Sequence, residues 1–495
     1  MIKPDKKTVL EHLKKYNVVP VYKELLADFE TPVSVFYKTS GKDYSFLLES
    51  VEGGENLGRF SFIGLKQYAI LRANSSGVFL EKNGNVEKLN DSDPVKSISE
   101  YMQKFTPYDE KKLPRFYAGA VGYFGYDIVR YFEPVRIEEK ERFIEDDIIL
   151  MIPEVVIAFD HLRHSVLIIA NIICENDSDD SSDSYDRAVE IIENTEKDFF
   201  NESKRPSLSL AFERDDDIAY RSNFEKDDFK KAVEKIKQYI YDGDAIQVVL
   251  SQCLTIDDKI DPFDFYRALR VVNPSPYMYY LNFGDQKIAG ASPETLVRLE
   301  NGKVTIRPIA GTRKRGCDEK EDAELAKELL NDEKERAEHI MLVDLARNDI
   351  GRVCEKGSIV VDELMSIEKY SHVMHIVSNV TGALKKEYSA FDLFRACFPA
   401  GTVSGAPKVR AMQIIEELEP AMRGPYAGSI CYFNFNGNFD SAITIRTAYF
   451  KDSVCQVQAG AGIVADSIPE KEYEETLNKA KALLRAFVLA KGLNP

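Results

Sequence analysis

Hydrophobic positions along the chain switch between two periods. Apolar residues at every second position, or short unbroken apolar runs, mark strands, whereas apolar residues three and four apart mark helices. The two-residue period dominates the first 205 residues. Segments 32–37 (PVSVFY), 44–50 (YSFLLES) and 59–65 (RFSFIGL) read as strands, and 67–72, 77–82 and 86–89 continue as a meander. Segment 116–124 (FYAGAVGYF) is a Gly-rich strand suited to close packing against another layer. The apolar runs 147–159 and 165–173 predict a buried hairpin. Helices are expected over 7–16, over 91–105 behind an Asp93-Pro94 start, briefly over 127–132, and over 185–200.

The second half mixes the periods more evenly. Phe229, Val233, Ile236 and Ile240 place a helix over 227–242, followed by a strand at 245–254 and a helix at 261–270 with Pro262 near its start. Hairpins are expected at 277–283 with 286–291, and at 296–300 with 303–307. A long helical stretch, broken once, covers 318–346, and shorter helices cover 391–396 and 409–418. Strands at 428–434, 440–450 and 453–460 precede a closing helix over 470–489. Hairpins interspersed with helices, without strict strand-helix alternation, predict an α+β fold with antiparallel sheets. The polar, Pro-containing connection 202–214 divides the chain into regions 1–205 and 215–495. The acidic, Ser-rich segment 175–184 reads as a mobile surface loop.

Composition narrows the function classes. A net charge of −17 disfavours nucleic acid and anionic membrane surfaces as partners, so a small anionic ligand would need a local pocket of cations, metal or backbone N–H groups. There is no apolar run of membrane-spanning length and no leader-like start, so a soluble cytoplasmic protein is expected. Seven scattered cysteines without CxxC spacing read as reduced thiols rather than a zinc site.

Several constellations carry candidate chemistry. Segment 306–316 (IRPIAGTRKRG) follows a strand and offers Gly311 for close approach, the Thr312 hydroxyl, and Arg313, Lys314 and Arg315 as charge for an anion. Glu335 and Glu338 lie three apart on one helix face, as do Glu472 and Glu475 on the closing helix. Two such faces would suit Mg²⁺, although Glu-rich helices also produce this spacing as solvated surface. Gly460 and Gly462 bracket Ala461 after a strand, where backbone N–H groups could hold a carboxylate or simply form a turn. Glu294 follows a strand; if buried, its pKa would rise and it could protonate a leaving hydroxyl. His375 sits in an apolar β-like run with His372 on the opposite face, and is either a base or a satisfied core residue. The hydroxyl-rich loop 398–408 enters a helix but lacks the GK[ST] ending of a P-loop. Arg446 could grip a carboxylate bidentately or make a structural ion pair.

These segments together resemble the chorismate-utilising enzymes, in particular the anthranilate synthase component I family. The motifs that carry the resemblance are LLESVEGGE (47–55), RFSFIG (59–64), NPSPYMYYL (273–281), GASPETLV (290–297), RPIAGTRKRG (307–316), DEKERAEHIMLVDLARNDIGRV (332–353), FPAGTVSGAPKVRAM (398–412) and AGAGIVADS (459–467). The resemblance implies two orthogonally packed antiparallel sheets flanked by helices, with the active site in the C-terminal half. It implies Mg²⁺ held by Glu338 and Glu475, with Glu335 and Glu472 on metal-bound waters. Arg446, Tyr426, Gly460 and Gly462, with Ala461 between them, would hold the enolpyruvyl carboxylate of chorismate. The same match moves the anion grip away from the Arg313–Arg315 run. Glu294 looks like the general acid and His375 the group assisting C2 proton removal, with Ala310, Gly311, Thr312 and Thr402 lining the pocket. Water-adding relatives place a Lys base where this chain has Gln247, and 4-aminating relatives place a nucleophilic Lys where it has Ala310. Both positions therefore argue for 2-amination and pyruvate elimination. Ammonia would come from a separate glutaminase subunit. Leu48, Glu49, Ser50, Asn273, Pro274, Tyr277 and Met278 resemble a feedback site for L-tryptophan.

Overall fold

The computed structural model describes residues 1–41, 44–50, 58–89, 93–175, 181–201, 218–370 and 373–492. Its ladders between strands are antiparallel and form one branched network. One branch runs from Val18–Leu26 through Ser165–Ile173, Ile148–Asp160, Phe60–Asn74 and Ser45–Glu49. It continues through Tyr277–Asn282, Gln286–Ser292, Thr447–Lys451 and Val454–Ile463 to Gln247–Ile256. The other leaves Ile148–Asp160 through Gly119–Phe124, Ser429–Asn434, Phe439–Ile443, Thr295–Glu300 and Lys303–Ile306 to Val373–Ala383. Helices cover the outside, which makes this the expected α+β architecture.

Two long strands join the branches. The first residues of Ile148–Asp160 pair with Gly119–Phe124, and its last pair along the same edge with Ser165–Ile173. Its other neighbour, Phe60–Asn74, carries a bulge between Gln67 and Ala69, where Lys66 has φ 51°. A bulged strand that starts in one sheet and finishes in another turns the corner between orthogonally packed sheets. The expected break between 59–65 and 67–72 is this bulge, not a chain reversal.

The expected boundary at 202–214 lies outside the described residues. In space the halves on either side of it share both branches: Leu48 pairs with Tyr279, and Gly122 with Cys431.

Local chemistry overrides the sequence pattern in several places. Segment 32–37 begins a helix, Pro32–Thr39, despite its β-favouring residues. Thr31 Oγ1 accepts from Ser34 N at 3.1 Å and Ser34 Oγ accepts from Thr31 N at 2.9 Å, a capping box completed by Pro32 in the first turn. The break in the long helical stretch falls at Asp332, which ends Glu319–Asn331 and caps Glu333–Gly351 by accepting from Lys334 N and Glu335 N. Segment 440–450 is two strands, Phe439–Ile443 and Thr447–Lys451, interrupted where Arg446 takes φ 52°. Of the expected mobile loop 175–184, residues 176–180 lie outside the described set. Glu175 is anchored by the Tyr68 and Tyr101 hydroxyls at 2.8 Å, and Ser181–Phe200 is helix.

The Gly-rich strand packs as closely as expected. A Cβ added at Gly122 would lie 1.8 Å from Ile149 O, and neither backbone can withdraw without breaking the ladder at the corner. Gly122→Ala should therefore lower the melting temperature by several degrees or abolish soluble expression, measured by thermal denaturation beside the control Gly41→Ala, an exposed glycine whose added Cβ meets nothing.

Candidate active site

A cavity of about 520 Å³ opens where the ends of both branches meet the helices Glu333–Gly351 and Pro469–Lys491. Glu294, Ala310, Thr312, Glu338, His375, Thr402, Tyr426, Arg446, Gly460 and Glu475 line it, along with Gln247. Apolar side chains such as Val249, Ile309, Leu342, Ile445 and Leu483 form the rest of the wall. Thirteen of the residues singled out from sequence, Asn273 and Pro274 among them, are thus gathered from a span of 228 positions.

The others stand one layer back. Gly311 is the extra residue of a bulge between Ala310 and Thr312, at φ 65°. A Cβ there would meet Leu329 at 3.0 Å and Glu335 at 3.2 Å, so the glycine admits the acidic helices rather than a ligand. Ala461 is buried in the core beneath. Gly460 O accepts from Lys479 Nζ at 2.8 Å. In a strand a residue's N–H and C=O share an edge, and so do those two positions on, so the Gly460 and Gly462 N–H groups face away from Gln247–Ile256. A side chain at Gly462 would strike Gln247 Nε2 at 2.5 Å.

Glu294 is half-buried in the cavity wall, and loss of hydration pushes its pKa up from 4.5 to about 7 while the Thr402 hydroxyl and the Lys479 charge pull it back. His375 pairs in register with Thr312. Its Nδ1 lies 2.9 Å from Gly311 O and 3.1 Å from Thr312 Oγ1. The carbonyl requires Nδ1 to carry the proton, which leaves the Nε2 lone pair free. Burial, with the Arg446 charge adding to it, lowers the imidazole pKa, so the ring is neutral at pH 7. Arg446 donates to Lys479 O at 2.9 Å and pairs with no carboxylate among the described residues. Burial lowers its pKa, against the pull of Tyr426 and Glu475. An anion entering the cavity would supply the missing partner.

The four carboxylates lie on two facing helices. Glu338 accepts from Gln247 Nε2 at 3.3 Å and Glu475 pairs with Lys479 at 2.7 Å. Arg313 reaches Glu335 at 3.4 Å. Burial chiefly raises the pKa of Glu335 and of Glu472, and each is raised further by its neighbour three residues on. Carboxylates crowded in this way favour a shared cation, and an all-oxygen donor set suits Mg²⁺. No three acidic, His or Cys side chains converge as a ready-made cluster among the described residues.

The Arg-Lys-Arg run does not face the cavity. Arg313 is taken up by Glu328, Asp332 and Glu335, and Arg315 by Asp322 at 2.6 Å. These carboxylates come from the acidic helices that follow, a tertiary arrangement invisible in the run itself. His372 lies outside the described residues. Sequence reasoning missed Lys479, the second cation of the cavity. Its position four residues after Glu475 puts it on the same helix face and could have flagged it.

The proposed tryptophan residues divide between two cavities. Leu48, Glu49, Ser50, Tyr277 and Met278 line a separate one of about 50 Å³, together with Arg115 and Arg298. Asn273 and Pro274 line the large cavity, and Pro276 lines both. Glu49 is held by Tyr266 at 2.6 Å and Arg270 at 2.9 Å.

Comparison with known proteins agrees with this geometry. The family model for chorismate binding enzymes matches residues 43–485, and the chain belongs to that family. Within it, the chain is 51% identical to anthranilate synthase component 1 of Aquifex aeolicus (strain VF5), over 97% of this chain and 98% of that protein. The crystal structure of anthranilate synthase component I from Streptococcus pneumoniae TIGR4 superposes with a TM-score of 0.73 at 36% identity, covering 93% of this chain and 98% of that one. The menaquinone-specific isochorismate synthase of Escherichia coli, at 18% identity and a TM-score of 0.71 over 97% and 98% of the two chains, shares the fold.

A folded-state pKa near 7 for Glu294 means that the fold favours its neutral form. The stability this contributes is present at low pH and is lost as pH rises from 4.5 to about 7. Glu294→Gln stays neutral throughout. Its melting temperature relative to the parent should rise across that window and level off above it, whereas a constant difference would mean that Glu294 is not buried as an acid.

Proposed function

We propose that the chain is the large subunit of an anthranilate synthase, converting chorismate and ammonia into anthranilate and pyruvate. The observation that supports this best is the joint presence of Gln247 and Ala310 in a cavity with Glu294, His375 and Arg446. Adding water at C2 calls for a base where Gln247 stands, and a covalent route calls for a nucleophile where Ala310 stands. Ammonia needs neither, because it is already a nucleophile.

In this reading Arg446, Tyr426 and the Gly460 and Gly462 N–H groups hold the enolpyruvyl carboxylate. Glu338 and Glu475 would hold Mg²⁺, with Glu335 and Glu472 supporting them from one turn away on each helix. When bound, the metal supplies positive charge for the ring carboxylate of chorismate. Glu294 starts protonated and gives its proton to the C4 hydroxyl as that group departs and ammonia adds at C2. His375, with Nδ1–H fixed on Gly311 O, presents Nε2 to take the C2 proton as pyruvate leaves and the ring becomes aromatic. Apolar walls keep bulk water from competing with ammonia.

We further propose that residues 215–495 carry the chemistry and that residues 1–205 contribute to regulation. Support comes from the small cavity, where Leu48 and Ser50 of the first half face Tyr277 and Met278 of the second. L-tryptophan would bind there and act through Asn273–Pro276 on the catalytic cavity. Ammonia would be delivered by the glutaminase subunit, component II, in the cytoplasm. No described helix is long and apolar enough to cross a membrane.

The direct test is incubation with chorismate, ammonium and Mg²⁺ while following anthranilate fluorescence, to which a chain without Trp adds little background. Folded protein that forms no anthranilate would sink the reading. Glu338→Gln should abolish turnover and Mg²⁺ dependence with an unchanged circular dichroism spectrum. Glu294→Gln should lower kcat by about 10²- to 10⁴-fold and remove the fall in rate above pH 7. For regulation, Ser50→Phe should relieve inhibition by L-tryptophan at unchanged basal rate; undiminished inhibition would rule out the assigned site.

A further inference from the structure

We propose that Asp349 resupplies protons to Glu294 through a small cavity behind it, acting through Glu294 rather than on the substrate. This inference rests on the reading of Glu294 as the acid that protonates the departing hydroxyl. A cavity of about 40 Å³ adjoins the large one and shares Glu294, Leu342 and Thr402 with it. Its remaining polar wall includes Asp349 and Arg307. At about 10–15 Å³ per water, it has room for roughly three or four. Thr402, whose hydroxyl also draws the Glu294 pKa down, stands on the boundary of the two cavities.

Asp349 connects this space to solvent. It lies at 14% side-chain exposure, paired with Lys408 at 2.8 Å. Lys408 also donates to Cys397 O at 3.2 Å, which fixes the ammonium between helix and loop. Arg352, Glu133 and the Cys397 thiol are the other titratable or charged groups near the Asp349–Lys408 pair. Burial raises Asp349 to about 6 against the pull of Lys408 and Arg352. A carboxyl poised there exchanges protons in both directions near neutrality and is matched to Glu294. Neither group needs the other for its fold: Asp349 is held by Lys408, and Glu294 by the chain crossing between Gln286–Ser292 and Thr295–Glu300.

The proton balance is simple. As the C4–O bond breaks, Glu294 loses its proton to the departing oxygen, water is formed, and Glu294 is left as a carboxylate. Asp349 passes its proton along the waters of the small cavity to Glu294, and then takes one from solvent. No electrons move.

The test compares Asp349→Asn and Asp349→Glu with the parent, as full chains supplied with chorismate, ammonium and Mg²⁺. Reprotonation follows the committed chemistry, so Asp349→Asn should lower kcat by about tenfold while leaving kcat/KM within twofold. Its solvent deuterium isotope effect on kcat should exceed the parent's, imidazole buffer should restore the rate in proportion to its concentration, and Asp349→Glu should retain activity. Equal loss of kcat and kcat/KM without buffer rescue, or an unchanged kcat in Asp349→Asn, would overturn the relay while Glu294 keeps its role. A parent chain that forms no anthranilate would instead overturn the reading of Glu294 and the relay with it.

Discussion

Arg423 and Glu419 form an ion pair at 2.7 Å with side chains 1% and 4% exposed. Two charges taken out of water survive only if every donor and acceptor is used, and here they are used on the walls of the active cavity. Arg423 donates to Val403 O at 2.7 Å and Val249 O at 2.8 Å, and its guanidinium lies over the Tyr126 and Tyr426 rings. Glu419 accepts from the backbone N and hydroxyl of Ser251, whose oxygen receives Gln458 Nε2. One pair therefore ties a strand of the first branch to the turn carrying Thr402, the loop carrying Tyr426, and a side chain of the opposite strand. Removing either partner would leave a buried charge, at a cost of about 3–5 kcal/mol.

A frame of that kind lets the cavity itself be left incomplete. Arg446 has no carboxylate partner and sits at a backbone angle that costs a non-glycine residue of order 1–3 kcal/mol. Glu335 and Glu472 crowd their neighbours, and loss of hydration raises the pKa of Glu294. Each is a local cost that binding of an anion, a cation or a leaving hydroxyl would offset. The corner strands add a second consequence: both halves of the chain share one network. Asn273–Pro276 can then touch the large cavity while the next residues line the small one. That is the physical link a feedback site needs.

Much of the element order was legible because the core is buried on a regular period. The hairpins at 277–291 and 147–173, a single break somewhere in 318–346 and the closing helix follow from periodicity, whereas the place of that break, Asp332, came only with the structure. Segment 32–37 misled because a capping box formed by Thr31 and Ser34 outweighs β propensity over so short a span. The strand expected over 440–450 misled because Arg446 leaves the ladder to line the cavity, a deviation with no local signature.

By itself the sequence determined the family, through ordered motifs that span nearly the whole chain, and the residue types available for acid, base and metal chemistry. Small and missing groups, Ala310 and Gln247, are informative at that level because they exclude routes whatever the surroundings. The tertiary structure alone decided which charges are free to act. Arg313 and Arg315 carry the same charge as Arg446 and stand in a more conspicuous run, yet acidic helices neutralise both. Lys479 went unnoticed until the closing helix brought it beside Gly460 and Glu475. Charge is a property of a residue, but burial and pairing are properties of its neighbours, and those are set only when distant segments meet.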